Sequence, residues 1–235
     1  MKILLTHGYF INEDPAEKKI MKPYPPLGIL YISAYLQNQG IENKVFDTTF
    51  SSKDELKDYL LQYLPDYLGI YVNLMTKLNV LEIIKFIKSR EELSHTKIIL
   101  GGPDIRYNAE NFLRHGADYL VIGEGEESFY QLIKTVDKGK SIEVKDVHGI
   151  CFNDENGKPF FTAERNLIRE IDELPIPDRK KIDISAYQKV WKKHHGADAV
   201  SVSTMRGCPY TCRWCSRAVT DRATAAAHRK MLLTN

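Results

Sequence analysis

The chain has 235 residues, room for one large domain or two small ones. A hydrophobic share of 43%, a charged share of 27% and a net charge of +2 are those of an ordinary globular protein, and they single out no polyanion such as nucleic acid as a partner. No apolar run approaches the roughly 20 residues that span a bilayer, and Met1-Lys2-Ile3-Leu4-Leu5 breaks at Thr6-His7-Gly8, too early for a signal-peptide core. A cytoplasmic protein without a membrane partner is expected.

Residues 1–137 alternate strand and helix patterns. A short apolar strand over 2–6 precedes a helical face over 27–39, with apolar positions 27, 30, 31, 34 and 35 and Gly40 as its C-cap. A strand over 44–46 runs to Asp47. Ser52 and Glu55 are spaced as a capping box that opens a helix over 52–63. A strand over 67–72, a helix over 78–89 and a strand over 97–100 follow, the last running into Gly101-Gly102-Pro103. A helix over 108–115, a strand over 119–122 ending in Gly123-Glu124-Gly125-Glu126, and a helix over 127–138 close the series.

Such alternation predicts an α/β fold: a flavodoxin-like (Rossmann-like), doubly wound, five-stranded parallel sheet of order 2-1-3-4-5. Ligands in such sheets bind beyond the carboxyl ends of the strands. The candidate binding residues are therefore Thr6, His7, Gly8, Asp47, Asn73, Gly101, Gly102, Pro103, Gly123, Glu124, Gly125 and Glu126. Glycines there let a backbone approach a bulky ligand. Glu124 and Glu126 read as an acid/base pair or, more simply, as carboxylates complementing a helix N-terminus. Asp104 either contacts ligand or caps the next helix.

Beyond 140 the pattern changes. Two apolar runs, 147–152 and 159–162, flank Asn153-Asp154-Glu155-Asn156-Gly157, a hairpin signal, and Cys151 within it reads as a small buried residue. Residues 164–197 are charged and hold Leu174-Pro175-Ile176-Pro177, which predicts an extended linker. Ala199-Val200-Ser201-Val202-Ser203 reads as a buried strand opening a second unit.

Then comes Arg206-Gly207-Cys208-Pro209-Tyr210-Thr211-Cys212-Arg213-Trp214-Cys215. Three thiolates spaced Cys-x3-Cys-x2-Cys can hold three irons of a four-iron cluster and leave one open to a small molecule. A structural zinc site completed by His194 or His195 is the blander reading, but no second Cys-x2-Cys half is present. A disulfide fits less well in a chain read as intracellular.

The cysteine motif resembles the radical S-adenosylmethionine (SAM) superfamily, and Trp214 before the last cysteine fits its pattern. The resemblance implies a [4Fe–4S] cluster on Cys208, Cys212 and Cys215. It also implies SAM chelated at the open iron and reductively cleaved, with an electron donor such as flavodoxin or ferredoxin. The preceding half resembles the cobalamin-binding domain found before many radical SAM cores, on Pro25-Pro26-Leu27-Gly28, Gly101-Gly102-Pro103, Gly123-Glu124-Gly125-Glu126, the hairpin and the Leu-Pro-x-Pro segment. Corrinoid domains that ligate cobalt from below carry Asp-x-His-x-x-Gly after the first strand. Here Leu5 and Phe10 replace the Asp and Gly around His7, so His7 is not expected to bind cobalt.

The implied organisation is a cobalamin-binding domain over 1–140, a hairpin and linker over 141–197, and the start of a truncated radical SAM barrel over 198–235. Residues 216–235 hold five alanines against eight in 1–215, a composition break that suggests a truncation. The expected function is cobalamin-dependent radical SAM chemistry, methyl transfer or another radical reaction, in a chain catalytically incomplete by itself. The alternative is a corrinoid-binding module with a vestigial cluster loop. The substrate is not legible.

Overall fold

Strand β1 (Ile3–His7) is buried at all five positions, which is why its sequence is apolar rather than alternating. The computed structural model describes residues 1–137, 141–168, 170–206 and the backbone of 227–228. In it β1 lies between β2 (Lys44–Phe46) and β3 (Tyr67–Tyr71), and β4 (Lys97–Gly101) and β5 (Tyr119–Val121) extend the sheet beyond β3. All of these pairings are parallel, with Leu5 opposite both Val45 and Gly69, and Leu100 opposite both Ile70 and Leu120. The expected order 2-1-3-4-5 is present. Because the chain steps from β1 to β2 on one side and to β3 on the other, the order reverses beside β1.

Helices cover both faces. On one, α3 (Lys53–Tyr63), α4 (Lys77–Lys88) and α5 (Ala109–Arg114) place Leu56, Leu60, Val80, Ile84 and Phe112 against Leu4, Leu68, Ile98 and Leu100. On the other, α2 (Leu27–Asn38) and α6 (Gly125–Asp137) place Ile29, Leu36, Phe129 and Leu132 against Ile3, Leu5 and Ile99. Alternate strand residues serve opposite cores, as the two-residue period requires. The Ser52–Glu55 capping box forms as read, each partner satisfying the other's backbone.

The hairpin joins the same sheet. Strand β6 (Ile150–Asn153) pairs antiparallel with β5, and β7 (Pro159–Phe161) pairs antiparallel with β6, giving seven strands. Asp154 accepts from the Asn156 and Lys158 amides, and Gly157 takes the left-handed conformation that closes the turn.

Three elements differ from the sequence reading. First, α1 (Pro15–Ile20) lies where no element was expected; Asp14 caps it by accepting from the Ala16 and Glu17 amides. Second, residues 184–195 are not extended linker but helix α7 (Ile184–His195), capped by Asp183 and closed at Gly196. Its apolar positions, Ile184, Tyr187, Val190 and Trp191, have helical spacing, which the surrounding lysines obscured. Third, 199–203 is not a buried strand: no described segment pairs with it, and Val200 and Val202 are 52% and 61% exposed. An apolar run becomes strand only where a ladder partner satisfies its backbone. The pairing falls instead on β8 (Met205–Arg206), opposite β9 (Ala227–His228). Among the described residues no helix is long and apolar enough to cross a membrane.

Candidate functional site at the carboxyl edge of the sheet

Thr6, His7, Gly8 and Asp47 stand at the ends of β1 and β2, where they are taken up by bonds within the protein: His7 with Asp47, and the Gly8 carbonyl accepting from Asn79 at 2.8 Å. The Thr6 hydroxyl donates to the Phe46 carbonyl at 2.8 Å. His7 is 3% exposed; its Nε2 lies 2.9 Å from Asp47 Oδ1, and its Nδ1 accepts from the Tyr9 amide at 3.2 Å and lies 3.0 Å from Thr48 Oγ1. Helix α7 closes this corner. Its Tyr187 hydroxyl lies 2.7 Å from both Asp47 Oδ2 and Thr49 Oγ1. Burial pushes the Asp47 carboxyl up, yet the hydrogen bond of His7, with help from Tyr187 and the Thr49 amide, outweighs it and holds Asp47 below the usual carboxylate range. Burial, and then the same carboxylate, push the Tyr187 phenol well above its ordinary range. Tyr187 was missed from sequence, because only the docked helix brings it to Asp47.

The ends of β3 and β4 are different in kind. Asn73 folds its side chain back to accept from the Met75 and Thr76 amides, each at 3.0 Å, and so shapes the loop entering α4. Gly102 sits at φ +122°, and a Cβ there would lie 2.1 Å from the Val72 carbonyl oxygen, so its own backbone requires glycine. Gly101 and Gly123 have nothing within 4 Å of where a Cβ would be. They leave open space at the carboxyl ends of β4 and β5. At the same edge stand Leu74 and Met75 on the loop leaving β3, Leu78 in the first turn of α4 and Tyr107 on the loop leaving β4, all large, apolar and exposed. Asp104, after Pro103, pairs with Lys77 at 3.5 Å and joins these two loops.

Glu126 stands in the first turn of α6, where a carboxylate complements the helix N-terminus, and both it and Glu124 are also engaged by Arg206. Glu124 Oε2 accepts from the Ile168 amide at 2.6 Å, and its Oε1 lies 3.4 Å from Arg206 Nη1. Glu126, at the start of α6 and 4% exposed, binds Arg206 Nη2. The guanidinium lies over the Tyr31 ring, 4.8 Å from its centre. Burial opposes its charge, but the two carboxylates more than compensate and raise its pKa. Gly125 packs its α-carbon toward Ile32, where a Cβ would come within 3.1 Å. No sequence signal links Arg206 to a turn 80 residues earlier.

Cys208, Cys212 and Cys215 lie outside the described residues. Cys151 is fully buried on β6, and burial pushes its thiol up to about 11, the behaviour of an inert core residue. His195 Nε2 lies 2.9 Å from the Met21 carbonyl oxygen. Among the described residues no three His, Cys, Asp or Glu side chains gather as a metal site.

Residues 18–133 match the B12 binding domain family. Over 225 residues the chain is 29% identical to an uncharacterized methyltransferase of Pyrococcus horikoshii, covering 93% of this chain and 46% of the relative. It is 24% identical over 222 residues to the anaerobic magnesium-protoporphyrin IX monomethyl ester cyclase of Rubrivivax gelatinosus, covering 92% and 39%. It is 26% identical over 203 residues to the hopanoid C-3 methylase of Methylococcus capsulatus, covering 84% and 37%. The chain thus spans less than half the length of these relatives. Its fold is that of part of the cobalamin-dependent SAM radical enzyme OxsB solved with aqua-cobalamin, at TM-score 0.72 and 24% identity, over 88% of this chain and 27% of that one. Sequence family and fold agree: residues 18–133 match the B12 binding domain family, and the chain has the fold of part of a cobalamin-dependent enzyme.

Proposed function

We propose that this chain holds cobalamin at the carboxyl ends of β3, β4 and β5, as the corrinoid-binding part of a radical SAM enzyme. The observation that carries the proposal is the pairing of two glycines facing open space, Gly101 and Gly123, with an exposed apolar shelf of Leu74, Met75, Leu78 and Tyr107 at the same edge. A corrin is broad and flat and carries ring methyl groups among its peripheral amides, so it needs an unobstructed backbone and apolar side chains against its face. The B12-binding match over 18–133 names the ligand class. His7, buried and engaged with Asp47, is not the lower cobalt ligand. Bound cobalamin supplies a cobalt centre able to carry one-carbon groups or electrons.

The rest of the reading follows from resemblance. Cys208, Cys212 and Cys215 hold a [4Fe–4S] cluster at which SAM is reductively cleaved, an electron donor such as flavodoxin or ferredoxin supplies the electron, and the outcome is methyl transfer or another radical reaction. The protein works in the cytoplasm on a small molecule of unassigned identity.

Titration with hydroxocobalamin tests the core of this. A shift of the corrin absorbance and co-elution on gel filtration at micromolar concentration are expected. Gly101→Leu should change the melting temperature little, because a Cβ there meets no protein atom within 4 Å, yet weaken retention by about tenfold or more through overlap with the ligand. Absence of corrinoid retention by the wild-type chain would overturn the proposal.

A further inference from the structure

The turn Gly123–Glu126 serves two faces. Gly123 opens toward the corrinoid edge, while Glu124 and Glu126, one and three residues later, grip Arg206. Arg206 lies two residues before Cys208, so its α-carbon is within about 7 Å of that residue's along the chain. A largely desolvated ion pair is a poor source of stability, because desolvating both charges offsets their attraction; what it provides is a fixed geometry. The arrangement here is suited to arginine in particular: two carboxylates meet separate nitrogens of one planar guanidinium, and Tyr31 lies against its face. Glu124 also accepts from the Ile168 amide, so the same turn fastens the chain that leaves the hairpin.

We propose that Arg206 is a positioning residue, and that its clamp by Glu124, Glu126 and Tyr31 couples corrinoid occupancy at Gly123 to the placement of the segment entering the cysteine motif. This rests on the corrinoid reading above. Ligand seated over Gly123 restrains the turn, the restrained turn holds its carboxylates on Arg206, and the chain leading to Cys208 is held at the corrinoid edge. Loss of the ligand loosens all three together.

Trypsin reads this directly in the full chain, because cleavage after Arg206 requires its side chain to leave the carboxylates. The cleavage rate follows the population of the open clamp, so the cut after Arg206, followed by mass spectrometry, should slow about threefold or more when hydroxocobalamin is added. In Glu126→Gln the cut should be about tenfold faster and should no longer respond to hydroxocobalamin. If Glu126→Gln does not melt cooperatively, Tyr31→Leu replaces it, removing the ring without stranding a charge; the same direction is expected. A wild-type chain that retains hydroxocobalamin but is cut at an unchanged rate would overturn the coupling. Equal rates in wild type and variant would overturn the clamp. A wild-type chain that retains no corrinoid would instead overturn the functional reading and the coupling with it, leaving the clamp to be judged by the ligand-free rates.

Discussion

His7 ends β1 with both ring nitrogens engaged, one toward Asp47 and one by the Tyr9 amide. An imidazole committed in this way has no lone pair left for cobalt. His7→Ala should therefore leave the electron paramagnetic resonance spectrum of bound cob(II)alamin unchanged. It should lower stability by about 1–3 kcal/mol, because Asp47 and Thr48 lose a buried partner. Loss of nitrogen superhyperfine coupling in the variant would show that the ring reaches the metal. The same corner sets an acid limb. Asp47 has its folded pKa depressed, so its contribution is present above the unfolded value of about 3.9 and is lost as pH falls through the folded value. The stability gap between wild type and Asp47→Asn should accordingly narrow below about pH 4, as chemical denaturation at a series of pH values would reveal.

At the scale of elements, α7 is the surprise. It is rich in lysine and histidine, yet one stripe is apolar or aromatic and docks on the N-terminal half. Tyr187 is 1% exposed and reaches Asp47 and Thr49, while the Trp191 indole donates to the Pro23 carbonyl and packs against Tyr24. Tyr187→Phe keeps the ring and strands Asp47 Oδ2. A loss of about 1–2 kcal/mol follows, read as a fall of about 2–8 °C in melting temperature. An unchanged melt would mean that α7 adds nothing to the stability of the β1–β2 corner.

For the whole molecule, the segments after residue 140 complete the core rather than hang from it. Val147, Ile150, Cys151, Ile171, Leu174 and Tyr187 are all buried. At about 1.5–3 kcal/mol for each fully buried large apolar side chain, an upper figure, their burial amounts to something on the order of 10 kcal/mol, comparable with the whole stability of a typical domain. A fragment ending at residue 137 should therefore melt far below one ending at 206, or show no cooperative transition. Equal melting of the two fragments by circular dichroism would overturn this. The cause is visible at β5: without β6 its outer backbone edge is unpaired and its apolar side chains lose their cover.

What the sequence determined by itself was whatever depends on local pattern. Apolar runs separated by helical stripes set the five parallel strands, the 2-1-3-4-5 order followed from handed crossovers, and Gly101 and Gly123 marked the open edge. The Ser52–Glu55 box and the hairpin turn were legible because their partners are within a few residues. What only the tertiary structure decided were partnerships across long separations: His7 with Asp47, Asp47 with Tyr187, and Glu126 with Arg206. No periodicity encodes these. A carboxylate reads the same in sequence whether it faces water, a ligand or a half-buried guanidinium, and only packing, which removes the water, assigns its partner.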